Sequence, residues 1–232
     1  MKSSILLSIV ASVSIISAQK NASTSKSCPE GFYPGTDTVI YTTPYTYAQV
    51  MSIIGDYQNL TWSGSPEGSV SLDGPTNTVG TTRTYDIAGA HVIEKIAAYS
   101  KPAKGPYEEI HTLGLLTIPA ANVSFSADYD GTTVTPTCDG KASILNFTAS
   151  FCATNASAAE SVLHMLHLTD AETVGNFLGG KNFTTCKAIS GSCSNANTTA
   201  PPAVVSGNGA TGLVTSVTSV LVAVGLLALI GF

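Results

Sequence analysis

At 232 residues the chain is long enough for one good core and too short for several large domains. Charged residues make up 11%, less than half of the roughly 25% usual in soluble proteins, while Ser and Thr together supply 56 positions. Ten Lys plus Arg without a basic cluster, at a net charge of -5, exclude a nucleic-acid binder that works by charge, and 44% apolar content excludes a disordered acidic tail.

Met1-Lys2, an apolar run from Ile5 to Ile16 and the small residues Ser17-Ala18 read as a secretory signal over 1–18, cut after Ala18. Residues 19–36 hold Ser, Thr, Lys, Gly and Pro and read as a loose lead-in. Asp37 to Tyr41 is predicted as a strand. Thr43 is expected to cap a helix with Pro44 in its first position, and Tyr47, Val50, Met51 and Ile54 follow at helical spacing. Residues 63–80 form a Gly/Pro/Ser-rich loop with one short strand near Val70. A β-rich stretch follows, with strands at Thr81 to Ile87, Ala90 to Tyr99, Tyr107 to Leu116 and Ala142 to Cys152. Between the last two lies a long strand or strand pair at Asn122 to Cys138, with turn signals at Asp130-Gly131 and Asp139-Gly140.

Ser157-Ala-Ala-Glu160 has capping-box form before an apolar face of Val162, Leu163 and Leu166. Thr169-Asp-Ala-Glu172 repeats that signal, which predicts a break or kink near Thr169. The folded unit is therefore placed at 37–187. Residues 188–208 read as a Ser/Thr/Pro stalk. Val220 to Phe232 carries no polar side chain and covers about 20 Å as a helix, short of a ~30 Å hydrocarbon core. With the small run Ser206-Gly207-Asn208-Gly209-Ala210 upstream, it reads as a glycosylphosphatidylinositol (GPI) signal: attachment at Asn208 and removal of 209–232.

A secreted route favours disulfides. Five cysteines (Cys28, Cys138, Cys152, Cys186 and Cys193) leave one unpaired; Cys186 and Cys193 could close a small loop, and Cys28 could tie down the N-terminus. Seven Asn-X-Ser/Thr sequons, at Asn21, Asn59, Asn122, Asn146, Asn155, Asn182 and Asn197, are glycan acceptors on such a route. Secretion, lipid anchoring and Ser/Thr-rich flanks together resemble a fungal surface protein, on the outer face of the membrane or in the wall.

The order strand, helix, antiparallel strands, C-terminal helix predicts an α+β meander with a helix on a curved sheet, and a hollow between the layers suited to an apolar ligand. The segment from Gly80 through Arg83, Gly89 and Glu94 to Tyr99, with Gly55-Asp56-Tyr57 and Trp62 upstream, resembles the central hairpin of START-like, SRPBCC-type proteins, including the polyketide cyclase/dehydrase and Bet v 1 groups. The resemblance covers about residues 37–180. It implies a helix-grip fold with a deep cavity for a lipid or other small hydrophobic molecule. The chain departs from it at Ile144-Leu145-Asn146-Phe147, where many relatives carry a Trp.

If Ala88-Gly89 is a two-residue turn, facing residues sum to 177 and Arg83 lies opposite Glu94, on a face shared with Tyr85, Ile87, Val92 and Ile96. That pair is either a register-fixing ion pair or an anchor for a ligand head group. Tyr57, Trp62 and Tyr85 are the aromatic candidates for lining the cavity. His164-x-x-His167 shares a helix face but has no evident third ligand, so it reads as packing and no metal or cofactor is assigned. Glu108-Glu109 reads as a solvated strand edge. His91 and His111 have no nucleophile to pair with, and no catalytic residue is assigned. The first reading is a binding module. The alternatives are a cyclase- or dehydratase-like enzyme with Glu94 or a His as acid or base, and a non-catalytic wall or surface glycoprotein.

Overall fold

The computed structural model describes residues 27–87 and 89–190. The signal segment, residues 191–208 of the expected stalk, the GPI segment with Asn208, and Asn21, Asn197 and Cys193 lie outside them; residues 188–190, expected as the start of the stalk, are helical.

Seven strands form one antiparallel sheet: β1 (Tyr33–Thr43), β2 (Ser71–Asp73), β3 (Thr82–Ile87), β4 (Ala90–Ser100), β5 (Tyr107–Ile118), β6 (Val123–Thr137) and β7 (Ala142–Ala153). Their order across the sheet is β1-β7-β6-β5-β4-β3-β2, so consecutive hairpins run from β2 to β7 and β1 closes beside β7. Helix α1 (Tyr47–Ile54) follows β1, α2 (Ala156–Phe177) follows β7, and the short α3 (Cys186–Ser190) ends the described chain. The long C-terminal α2 lies on the concave face of the curved sheet. This is a helix-grip α+β fold, as the sequence predicts.

Period-2 burial explains which face α2 covers. On β4, Ala90, Val92, Glu94 and Ile96 alternate with exposed neighbours, and on β7 Leu145, Phe147, Ala149, Phe151 and Ala153 do the same job. The helix answers with Ala159, Leu163, His167, Asp170, Ala171, Val174 and Gly175, a single stripe at three- and four-residue spacing. The apolar part of the interior divides in two. One cluster joins α1 to Val39, Trp62, Leu145, Phe147 and Val174. The other joins Val92, Leu113, Phe125, Phe151, Ala159 and Leu163.

Several local expectations are corrected. The strand expected at 37–41 begins at Tyr33, four residues earlier, because β7 offers partners all the way to Ala153. Thr43 ends that strand; the cap of α1 is Thr46, whose side chain accepts from the Gln49 amide while Gln49 Oε1 accepts from the Thr46 amide at 2.9 Å. Asn155, not Ser157, caps α2, accepting from the Ala158 amide at 3.1 Å. The helix then runs without a break through Thr169, because Asp170 and Ala171 are held inside the buried stripe. Asp130-Gly131 is not a turn: β6 passes straight through it, with register shifts nearby at Ala127/Tyr129 against β7 and His111/Leu113 against β5.

Cys186 pairs with Cys138, fastening α3 to the end of β6, and Cys28 pairs with Cys152 on β7, so the expected Cys186–Cys193 loop does not form. Among the described residues, no helix is long and apolar enough to cross a membrane.

Candidate functional site

A row of ionisable side chains crosses the concave face between the two apolar clusters. Strand register builds it. Asp37 on β1 pairs with Ala149 on β7, which pairs with Asp130 on β6, which pairs with His111 on β5. His111 pairs with Ile96 on β4; two residues back on the same face stands Glu94, opposite Arg83 on β3. The row thus runs Asp37, Asp130, His111, Glu94, Arg83, with Glu109 two residues from His111 on its own strand.

At the β3–β5 end the groups are hydrogen-bonded to one another. Arg83 Nε donates to Glu94 Oε2, and Arg83 Nη1 donates to the Tyr57 carbonyl at 3.1 Å. Tyr85 Oη donates to Glu94 Oε1 at 3.0 Å, and Tyr57 Oη donates to the Glu94 carbonyl at 3.1 Å. The guanidinium lies 4.2 Å from the centre of the Tyr57 ring, a cation–π contact. Glu109 accepts from Tyr107 Oη at 2.7 Å and from His111 Nε2 at 2.6 Å, and stands 3.9 Å from Arg83 Nη1.

At the other end α2 closes the row. Asp37 accepts from His164 Nδ1 at 2.9 Å and from His167 Nδ1 at 2.7 Å, one bond to each carboxylate oxygen. His167 stacks on Phe147, with ring centres 5.5 Å apart, and turns its Nε2 toward Asp130 Oδ1 at 3.8 Å. One turn on, Asp170 accepts from Ser63 Oγ at 3.1 Å, tying α2 to the short 3-10 segment Thr61–Ser63.

Burial sets the proton affinities and partners decide their sign. Burial alone pushes Glu94 up, but the charges of Arg83 and His111 outweigh it and hold the carboxyl below its usual range. Burial likewise raises Glu109, and the His111 hydrogen bond reverses the sign. Burial pushes Asp37 up, and its two histidine hydrogen bonds bring it below the usual range. His111 and His167 are pushed down by burial and pulled up further by their carboxylate neighbours, so both end above the ordinary imidazole value. Asp130 and Asp170 lack a compensating partner of that quality. Burial raises both, Asp170 to about 7.

Of the residues singled out from sequence, Tyr57, Arg83, Tyr85 and Glu94 meet in one hydrogen-bonded set, and Arg83 faces Glu94 as the turn arithmetic predicts. Trp62 belongs to the apolar cluster instead: it packs against Phe147, ring centres 6.5 Å apart, and its indole donates to the Asn59 carbonyl at 2.8 Å. Glu109 is a correction. It sits on an interior strand and is buried, not solvated, because it shares the face of Tyr107 and His111. His164 and His167 are ligands of Asp37 rather than simple packing. His91 pairs with Asp86 on the surface. Asp37, His111 and Asp130 were missed, although the alternation Tyr107, Glu109, His111, Leu113 carries a signal that Glu109 and His111 face inward.

The sequons at Asn122, Asn155 and Asn182 are exposed, and those at Asn59 and Asn146 half-buried; Asn146 faces away from α2 on β7. The row crosses the centre of the layer, where a hollow is expected. Two hollows open on the outside instead. One of about 140 Å³ lies by Tyr41, Glu172 and Lys181, and one of about 330 Å³ by Tyr47, Met51 and Lys101.

No family model matches the chain, and no curated protein matches it. Solved structures with a similar course include a protein from Nitrosospira multiformis (14% identity, 59% of this chain and 92% of that one, TM-score 0.44). Others are Ara h 8.0201 (16%, 63% and 98%, TM-score 0.42) and norcoclaurine synthase from Thalictrum flavum, bound to dopamine and hydroxybenzaldehyde (10%, 72% and 100%, TM-score 0.44). At that distance the functional reading rests on this chain's own residues. They define a helix-grip domain with a charged interior row.

Proposed function

We propose that this chain is a secreted, GPI-anchored surface protein whose helix-grip domain binds a small molecule against the charged row. The observation that carries the binding reading is the row's position: Arg83, Glu94, Glu109, His111 and Asp130 cross the concave face between two apolar clusters. A fold held by apolar burial alone gains little from concentrating five ionisable groups there, since replacing buried ion pairs by apolar residues is often neutral or stabilising. A ligand suited to it has an apolar body for the flanking clusters and a polar head for Arg83, Tyr85 or Glu94. Tyr85 and Asp130 are the half-buried members of the set and mark the side from which such a head enters.

The anchor reading draws on the apolar segment Val220 to Phe232 and the small residues around Asn208. Release of the protein from cells by phosphatidylinositol-specific phospholipase C supports it, and retention in the membrane removes it. Native mass spectrometry of the released glycoprotein tests the binding reading. A discrete co-purifying organic mass, lost on denaturation, is expected; a protein that carries none and takes up none from a cell lipid extract contradicts it.

A second reading, acid–base chemistry of the cyclase or dehydratase kind, is favoured by one observation. Asp130 and Asp170 are both held above the usual carboxyl range beside His167, and Asp170, raised to about 7, can hold a proton near neutrality. Incubation of the identified ligand with the protein separates the two: a binder returns it unchanged, and an enzyme returns a product.

A further inference from the structure

We propose that Glu94, His111 and Asp130 form a site for one divalent transition ion of the zinc class, beneath α2 on the concave face. One ligand atom from each of the three lies within 4.8 Å of the others. They come from three adjacent strands, β4, β5 and β6, with His111 and Asp130 directly paired. A rigid sheet therefore presets the triangle.

The state of His111 is the independent observation. The residue is 4% exposed, and its Nδ1 is buried without any hydrogen-bond partner. Its other nitrogen, Nε2, meets Glu109 Oε1 at 2.6 Å. A carboxylate can only accept there, so Nε2 carries a proton and Nδ1 is the nitrogen left for a metal ion, which would displace any proton held there. A carboxylate behind one imidazole nitrogen, with the other left bare, is how metal-ligating histidines are oriented.

The remaining geometry is compatible. Glu94 already accepts from Arg83 and Tyr85, but a carboxylate has about four lone-pair sites, and two stay free. Bonds of about 2.0–2.2 Å place ligand atoms roughly 3–4 Å apart, so the triangle must tighten by about an ångström. Asp130 can supply that movement. Its side chain is 15% exposed and faces His167 Nε2 at 3.8 Å, longer than a hydrogen bond. One imidazole nitrogen with two carboxylate oxygens suits zinc better than calcium or magnesium, which prefer all-oxygen sets, or copper(I), which prefers sulfur. Three protein ligands leave a coordination position for water or for an oxygen of a bound molecule.

The test uses the full glycoprotein without an affinity tag, stripped by chelator and titrated with zinc chloride alone. One equivalent per chain is expected. His111→Gln and Asp130→Asn should each weaken it at least tenfold, since even second-shell changes cost roughly 10- to 100-fold. His91→Gln, at the surface pair with Asp86, should leave it unchanged. Cobalt(II) loaded into the unsubstituted protein needs no variant: it should shift the NMR signals of His111 and Tyr85. No zinc uptake, or cobalt shifts centred on His91 or His164, overturns the proposal. The site shares residues with the small-molecule reading without depending on it. A metal-free protein that still carries an organic mass removes this inference and leaves that reading standing, and the reverse result does the opposite.

Discussion

Replacing Asp170 by Asn should stabilise the protein above neutral pH and do nothing in acid. Asp170 is buried on α2, and its one hydrogen-bond donor is Ser63 Oγ. Burial raises the carboxyl from the ordinary 3.8 to about 7. Between those two values the folded chain holds a proton that the unfolded chain has released, so stability falls as pH rises through that window and is level above it. At about 1.4 kcal/mol per pH unit, a window of roughly three units amounts to about 4 kcal/mol. An Asn side chain keeps an oxygen for Ser63 and never ionises. Asp37 adds its own pH dependence in both proteins, stabilising above its unfolded value; His167 stabilises below its own and is raised in part by the Asp170 charge, a smaller contribution that the variant loses. The difference between the two unfolding curves therefore reports Asp170 together with its effect on His167. Urea unfolding at pH 4 and pH 8 is the assay. The variant should match the parent at pH 4 and exceed it by a few kcal/mol at pH 8. An equal difference at both pH values, or a variant weaker at pH 8, refutes the reasoning.

Glu94→Ala should cost about 3–5 kcal/mol in urea unfolding, because it takes from the buried Arg83 guanidinium its nearest carboxylate and leaves only Glu109 at 3.9 Å; a loss under about 1 kcal/mol would show the pair to be solvated. Each disulfide closes a long loop. On loop entropy alone, losing Cys28–Cys152, at a sequence separation of 124, should cost about 5 kcal/mol, and losing Cys138–Cys186, at a separation of 48, about 4. Matched Cys→Ser pairs in chemical denaturation check both the size and the order. Gly35→Ala drives a Cβ into the buried Phe151 ring across the β1–β7 pair, an overpacking of roughly 1–3 kcal/mol. Pairing it with Phe151→Leu should recover part of the loss, and strict additivity would falsify the contact.

The sequence makes the meander and its closing helix legible because their signals are local. Turn arithmetic at one hairpin puts Arg83 opposite Glu94, and period-2 alternation marks β4 and β7. Caps are less legible, since Thr43 and Ser157 carry the same chemistry as Thr46 and Asn155 a few residues away. The charged row is the least legible. Its assembly depends on register between strands far apart in sequence, and irregular pairing interrupts that register at His111/Leu113 and Ala127/Tyr129. Asp130-Gly131 has the composition of a turn and sits in mid-strand because β5 and β7 flank it on both sides. Asp37 meets His164 and His167 across more than 120 residues of chain, a contact that no local pattern encodes.

The most direct test of the charged row as a binding surface is a crystal structure of the protein purified from cells without lipid extraction or chelator. The account predicts α2 lying across the row and extra density within contact distance of Arg83, Tyr85, Glu94, His111 or Asp130. A row closed on itself with no bound group, in protein that also takes up none on soaking with its cell extract, contradicts it.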